Sequence, residues 1–305
     1  MSVTSGAVTT YHNDISLQST YKPELNRYHI FTAKSCPFAH CVEITRRLKG
    51  LVDNISITFC NPVFNFEKGW QLNYSYQSNE NVLNHVPKGD LTSLNELYKY
   101  VDSDYIGRMT IPLIFDKWTN TIVNNESSQI IKILNSSFNT LIDNDLDLYP
   151  PHLQNQINQF RIEFNDKIST GTYKAGHAKT NDDYALHFNN TFEYLDKLDD
   201  MLKKNNTLFL VGDNITLADI HAFPHLIRFD AVFYTLFSLN KKHLWEYENI
   251  HAYLKRLCSI KAFVDCTDID EIKKGAFLSE NNLAHNLGAK VPLGNGGIEK
   301  YFKKM

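Results

Sequence analysis

The sequence predicts an α/β domain followed by an all-α domain, and three observations carry that expectation. Residues 28–34 (YHIFTAK) form a short β-prone run that stops at Ser35-Cys36-Pro37 and passes directly into apolar residues at helical spacing. Two further short strands flank a turn at residues 117–120, with an amphipathic helix behind them. From Pro150 the character changes, and periodic helical segments dominate the rest.

In the first helix Val42, Ile44, Leu48 and Leu51 recur between Phe38 and Leu51, with Arg46, Arg47 and Lys49 among them. Pro37 suits the first helical turn, where its missing N–H costs nothing, so Cys36 falls at or next to the N-cap. A second strand reads from Ile55 to Cys60. Residues 61–107 are rich in Asn, Gly and Lys and only weakly periodic, and a loop of such length inside a domain is usually functional. Thr110-Ile111-Pro112-Leu113 leads into a strand through Phe115, a turn, and a strand through Val123. Ser127 or Ser128 then opens a helix through Ile130, Ile131, Ile133 and Leu134.

The order β-α-β, then a β-hairpin and a helix, is that of a thioredoxin-like domain. Helical segments follow at 153–168, 184–202, 217–236 and 250–257, the third opened by the capping pair Thr216 and Asp219. The expected division is an N-terminal arm at 1–27, a thioredoxin-like domain at 28–143 with a long insertion at 61–107, an all-α domain at 150–266, and an irregular tail at 267–305.

The chain has 305 residues, 43% of them hydrophobic, which is enough to fill two cores. Lys+Arg 31 against Asp+Glu 34 leaves a formal charge of −3, so no basic excess points to nucleic acid or to an anionic membrane. The polar start, MSVTSGAVTTYHNDISL, is a poor secretory signal, and no apolar run approaches the ~20 residues that span a bilayer. The expected location is the cytoplasm. Five cysteines (Cys36, Cys41, Cys60, Cys258 and Cys266) are an odd number without a disulfide-framework spacing, as expected of free thiols in a reducing compartment.

Cys36 is the candidate nucleophile. A thiol at a helix N-terminus faces unpaired N–H groups and the positive end of the helix dipole, and both favour thiolate. Thiols at such positions ionise with pKa values of roughly 3.5–7.5, and neighbouring Lys34 adds positive charge. The alternative is a small hydrophobe buried at a strand end. Cys41 lies too far along for a Cys-x-x-Cys redox pair, which favours a monothiol route resolved by an external thiol. His40 either lies over Cys36 as a base or bonds within the core.

Two other segments carry chemistry. A proline at Ile111-Pro112 in a thioredoxin-like fold is cis, leaving the Ile111 backbone to pair with an extended peptide; the alternative, favoured were it not for the cysteine motif upstream, is an ordinary trans proline opening a strand. Asn125-Glu126-Ser127-Ser128 stands at a strand-to-helix turn, where a helix N-terminus holds a carboxylate and Glu126 pairs with an ammonium group. The same residues also make a plain helix cap, and the two roles are compatible. His221 and His225 stand four apart, but Pro224 lies between them and no third ligand is evident, so no metal is expected.

At these residues the chain resembles the glutathione transferase superfamily, and within it the xi class of glutathionyl-hydroquinone reductases and their fungal omega-like relatives. The resemblance rests on SCPFAH at Cys36, Gly69-Trp70, TIPLIFD at Thr110, TIVNNESSQII at Thr121, GTYKAG at Gly171 and LIRFDAV at Leu226. It implies a thioredoxin-like domain followed by an all-helical transferase domain, as a homodimer. It implies glutathione as co-substrate, with Cys36 passing through a glutathione mixed disulfide. By the same mapping Ile111 and Pro112 bind the glutathione backbone, Glu126 and Ser127 hold its γ-glutamyl group, and Trp70 covers it. The acceptor pocket would be lined by Phe38, Tyr173, Phe233 and Tyr234, and would take a small hydrophobic or disulfide substrate.

The chain departs from the reductases at Phe38 and Cys41, where they carry Trp and Arg, at Phe233 in place of a tyrosine, and at residues 271–277 (EIKKGAF), where no tyrosine stands. Lost phenol hydroxyls are lost donors to a developing charge. The first reading is therefore an omega-like glutathione transferase acting as a thiol transferase. Glutathionyl-hydroquinone reductase is the alternative enzyme, and a non-catalytic interaction protein that keeps the fold is the alternative of another class.

Overall fold

The computed structural model describes residues 11–72, 91–204, 207–282 and 290–302. The chain divides into two units, Met1–Leu146 and Asp147–Met305.

In the first unit, β1 (Tyr28–Thr32) is buried at every position, as its run of aromatic and β-branched residues demands of a central strand. It pairs in parallel with β2 (Ser56–Phe59) and antiparallel with β3 (Leu113–Asp116), and β4 (Thr121–Asn124) follows β3 through the expected turn. The strand order is β2-β1-β3-β4. Between the parallel strands stands α1 (Pro37–Leu48), and α3 (Ser127–Ser136), the helix after β4, packs against it.

The 61–107 segment is less irregular than its composition suggests. It contains α2 (Leu94–Val101), opened by a capping box in which Ser93 and Glu96 satisfy each other's backbone N–H groups. Residues 73–90 of that insertion lie outside the described residues. Leu94, Leu97 and Tyr98 of this helix join Phe31, Leu113, Phe115 and Ile122 of the sheet in one buried cluster, against which Cys36 and Trp70 pack. The arm also has structure: Asn13 N–H donates to Val123 O at 3.1 Å and Asn125 N–H to Tyr11 O at 3.1 Å, covering the outer edge of β4.

Two cations that look solvated in the sequence are buried. Arg46 is 0% exposed and donates to Ile55 O at 2.5 Å and Val52 O at 2.7 Å, while Lys49 donates to Leu146 O. Their partners are backbone carbonyls outside the helix, invisible to any spacing rule.

The second unit is helical. α4 (Gln154–Phe164) runs through a π-helical turn at Asn165–Ser169 into α5 (Gly171–Gly176), followed by the long α6 (Asn181–Lys204). α7 (Leu217–Arg228) runs through a second π turn, Phe229–Phe233, into α8 (Tyr234–Leu236). Its start carries the expected capping box of Thr216 and Asp219. α9 (Glu248–Leu257) and the short α10 (Lys261–Val264) complete the main helical set.

The tail, read as irregular, holds α11 (Ile269–Leu278), capped by Asp268, and a final 3-10 turn at Ile298–Lys300. That last segment is pinned: Trp245 Nε1 donates to Gly296 O at 3.1 Å, and the Tyr301 hydroxyl donates to the buried carboxylate of Asp230. Among the described residues, no helix is long and apolar enough to cross a membrane.

Candidate functional site

Cys36 occupies the N-cap of α1, with extended backbone (φ −83, ψ 120) and Pro37 at the first helical position. Its N–H donates to Ala33 O at 3.1 Å and its C=O accepts from His40 N–H at 3.0 Å, so the chain turns sharply from β1 into the helix. The residue is half-buried, whereas Cys41, Cys60, Cys258 and Cys266 are all buried. Cys41 donates its thiol proton to Pro37 O at 3.4 Å. Burial, and in smaller part the charge at Cys36, pushes the Cys60 thiol pKa up; burial pushes that of Cys258 up to about 12.

Lys34 departs from its expected role. Its ammonium is buried, pairs with Glu43 at 2.6 Å and lies over the Phe59 ring at 4.4 Å. Glu43 offsets the charge that sequence adjacency seemed to offer the thiol. His40 is buried on α1, one turn beyond Cys36.

The Ile111-Pro112 peptide is cis, and Ile111 is 7% exposed. Among the described residues neither the N–H nor the C=O of Ile111 has a hydrogen-bond partner. Glu126 is the N-cap of α3: its carboxylate accepts from Ser128 N–H at 3.1 Å, and its own N–H donates to Asn124 Oδ1 at 2.8 Å. Glu126 and Ser127 are both half-buried. Trp70 stands at the end of a loop whose Asn65 side chain accepts from the N–H groups of Glu67 and Lys68, at 2.9 and 2.7 Å. Its ring lies 5.2 Å from that of Phe64, and its carbonyl accepts from Leu94 N–H at 2.8 Å. Ser35 donates to Pro62 O at 2.7 Å, tying the start of this loop to the neighbour of Cys36.

Of the expected acceptor residues, Phe38 is half-buried on α1 in the first unit. In the second unit Tyr173 and Phe233 come together, with ring centroids 5.7 Å apart, and Phe237 joins both at 5.2 and 5.5 Å. Gly176 makes room for this group, since a Cβ there would lie 2.1 Å from the Phe237 ring. Tyr234 is placed elsewhere, stacked on His243 at 3.8 Å. The π turn at Phe229–Phe233 puts these two neighbours on different surroundings. His221 and His225 pack against Phe164, at 5.9 and 6.2 Å. Among the described residues no group of three or more His, Cys, Asp or Glu side chains could hold a metal ion.

Sequence reading missed Tyr98 and Tyr11 and gave Asn125 no role apart from its helix-start segment; all three hydrogen-bond around the Thr110 and Glu126 segments. The Ser93-x-x-Glu96 capping pattern was the available pointer to the helix that carries Tyr98.

Residues 35–137 match the family model for the glutathione S-transferase N-terminal domain, and residues 181–256 that for the C-terminal domain. The chain is 33% identical over 264 residues to glutathionyl-hydroquinone reductase YqjG of Escherichia coli, covering 85% of this chain and 77% of that protein. It is 34% identical over 273 residues to glutathione S-transferase omega-like 2 of Schizosaccharomyces pombe, covering 87% and 85%. Among solved structures it superimposes on the glutathione S-transferase Xi of Phanerochaete chrysosporium with a TM-score of 0.83, at 33% identity over 95% of this chain and 97% of that one. The glutathione-bound structure of the E. coli protein gives 0.85, at 30% identity over 93% and 92%.

Proposed function

Because the chain belongs to the glutathione S-transferase family, we propose that it is a glutathione-dependent thiol transferase of the omega-like and xi branch, with Cys36 as its nucleophile. The observation that carries this reading is the placement of the cysteines: Cys36 alone among the five is not buried, and it caps a helix N-terminus.

The Cys36 thiolate attacks the glutathione sulfur of a mixed disulfide. The S–S bond breaks, the substrate leaves as thiolate and takes up a proton, and Cys36 is left joined to glutathione. A glutathione thiolate then attacks the glutathione sulfur of that adduct, giving oxidised glutathione and restoring the Cys36 thiolate. Net, one mixed disulfide and one glutathione become one thiol and one glutathione disulfide.

Ile111, beside Pro112, offers N–H and C=O to the extended tripeptide, as a strand would. Glu126 pairs with the γ-glutamyl ammonium, and Ser127, at the first position of α3, receives the γ-glutamyl carboxylate near the helix N-terminus. Trp70 covers the ligand. For a small hydrophobic or disulfide acceptor the first unit offers Phe38, two residues after Cys36, and the second offers the aromatic group of Tyr173 and Phe233. The domain limits 28–143 and 150–266, a homodimeric state and a cytoplasmic location belong to the same proposal.

The reductases named among the relatives favour a second reading, glutathionyl-hydroquinone reduction. There the Cys36 thiolate attacks the sulfur of a glutathionyl-quinol, the carbon–sulfur bond breaks, the ring carbon takes up a proton, and Cys36 is left joined to glutathione for a second glutathione to release; Phe233 carries no hydroxyl, whereas Tyr173 does. Purified protein offered hydroxyethyl disulfide with glutathione, and separately a glutathionyl-quinol, decides between them. Turnover of the disulfide supports thiol transfer, and turnover of the quinol alone overturns it. Undiminished disulfide reduction by Cys36→Ser would remove the catalytic assignment altogether.

A further inference from the structure

The residues immediately preceding Ile111 and Glu126 are tied to one oxygen atom. The Tyr98 hydroxyl donates to Thr110 O at 2.9 Å and accepts from Thr110 N–H at 3.3 Å, so it satisfies both backbone groups of the residue before Ile111. The same oxygen accepts from Asn125 Nδ2 at 2.9 Å, and that amide also reaches Thr110 Oγ1 at 3.4 Å. Asn125 directly precedes Glu126. Its Oδ1 accepts from Tyr11 N–H at 3.4 Å and its backbone N–H donates to Tyr11 O at 3.1 Å, which brings in the N-terminal arm.

Tyr98 is 0% exposed and Asn125 3%, so no water competes for these bonds and each unmade one is costly. Burial pushes the Tyr98 phenol up to about 12, which keeps its proton on the oxygen and its donor role intact. The ring is held in turn by Tyr105, at 4.9 Å, which itself stacks on Tyr11 at 5.8 Å.

We propose that Tyr98 and Asn125 are positioning residues for glutathione, holding the Ile111 segment and the Glu126 turn at a fixed spacing so that one ligand meets both. The proposal rests on the glutathione contacts assigned above. Neither side chain needs to touch the ligand. The spacing matters because the tripeptide bridges a backbone ladder at one end and a helix N-terminus at the other. A segment free to drift loses its share of the binding and leaves the thiol unaffected.

The test compares Tyr98→Phe and Asn125→Ala with the parent protein in the hydroxyethyl disulfide assay, varying glutathione, with thermal melting to establish that each variant is folded. Each variant loses three hydrogen bonds of the clamp, and with the Ile111 segment and the Glu126 turn no longer tied together, KM for glutathione should rise about five- to tenfold while turnover at saturating glutathione stays within about twofold. Alkylation of Cys36 by iodoacetamide without glutathione should also stay within about twofold of the parent rate. A merely structural role lowers the melting temperature and leaves KM in place, and that result overturns the proposal. Glu126→Gln is run alongside: if it raises KM while both clamp variants do not, the clamp alone fails. If none of the three raises KM, the glutathione reading fails and takes the clamp with it. Should Asn125→Ala not fold, Tyr98→Phe, which deletes one oxygen, decides.

Discussion

On the proposed reading Glu126 does two jobs in one place, and a single substitution separates them. Its carboxylate caps α3 through Ser128 N–H at 3.1 Å, and on the proposed reading the same group pairs with the glutathione ammonium. Glu126→Gln keeps an oxygen that can accept from Ser128 N–H and removes the charge; Glu126→Ala removes both. Losing an N-cap acceptor costs about 1 kcal/mol, or roughly 2–4 °C of melting temperature in a chain of this size. The Gln variant should lose less than about half of that, since only the dipole interaction of the charge is gone. For binding the two variants should be alike. A hydrogen bond to a charged group is worth about 1.5–3 kcal/mol, and the half-buried setting favours the lower end, so both variants should raise KM for glutathione about tenfold. The assays are differential scanning fluorimetry and glutathione-dependent disulfide reduction. Were Gln and Ala to melt equally early with KM unchanged, Glu126 would be a cap and nothing more.

Three further outcomes are expected. Iodoacetamide at mildly acidic pH should label Cys36 first, with the four buried thiols spared as judged by peptide mapping, and Cys36→Ser should abolish both the labelling and the disulfide reduction. Gly296→Ala should lower stability by about 2 kcal/mol or more, because φ is +63 and the new Cβ would sit 2.1 Å from Asp230 O; Gly294→Ala, with nothing within 4 Å, should be silent in the same melt. Burial holds the His221 pKa down to about 4, below the ordinary 6.5, so the unfolded chain binds a proton the folded one refuses. Stability from this group is complete above pH 6.5 and is lost as pH falls toward 4, by at most about 3 kcal/mol. Asp219 and Asp230, whose carboxyl pKa values burial raises, act with the opposite sign, so the quantity to read is the difference in urea midpoint against pH between the parent and His221→Gln. The parent's advantage over the variant should shrink as the pH is lowered from 6.5 toward 4, and a flat difference would refute the buried neutral imidazole.

What the sequence made legible was the part whose causes are local. Cys36 before Pro37 after a β-prone run fixes a strand-to-helix turn by backbone sterics alone, and the structure places the cysteine at the N-cap. Thr216 and Asp219 declare a helix start in the same way. What escaped depends on partners distant in sequence. Tyr98 lies in an eight-residue helix too short to show a period inside a long polar stretch, and its partners are Thr110, 12 residues on, and Asn125, 27 residues on. Arg46 looks like an exposed charge until the turn at 51–55 brings carbonyls back to it. Tyr234 and Phe233 look interchangeable until a π turn sets one against His243 and the other against Tyr173.

The same division explains why a monothiol route suits this fold better than an internal disulfide. Of the other cysteines, two stand near the nucleophile in the first unit. Cys41 lies on the buried face of α1, its thiol proton donated to Pro37 O, and the helix that places it cannot turn it outward without unwinding. Cys60 follows β2, its N–H bonded to Thr32 O at 2.7 Å, and its burial holds its thiol in the protonated, unreactive form. Both thiols are buried, so on the proposed reading the second thiol arrives from solution. An incoming glutathione must then reach a sulfur already carried by a bound one. The first must therefore be held well enough to present that sulfur through a second encounter, which is the task that the Ile111 segment, the Glu126 turn and the Tyr98–Asn125 clamp share.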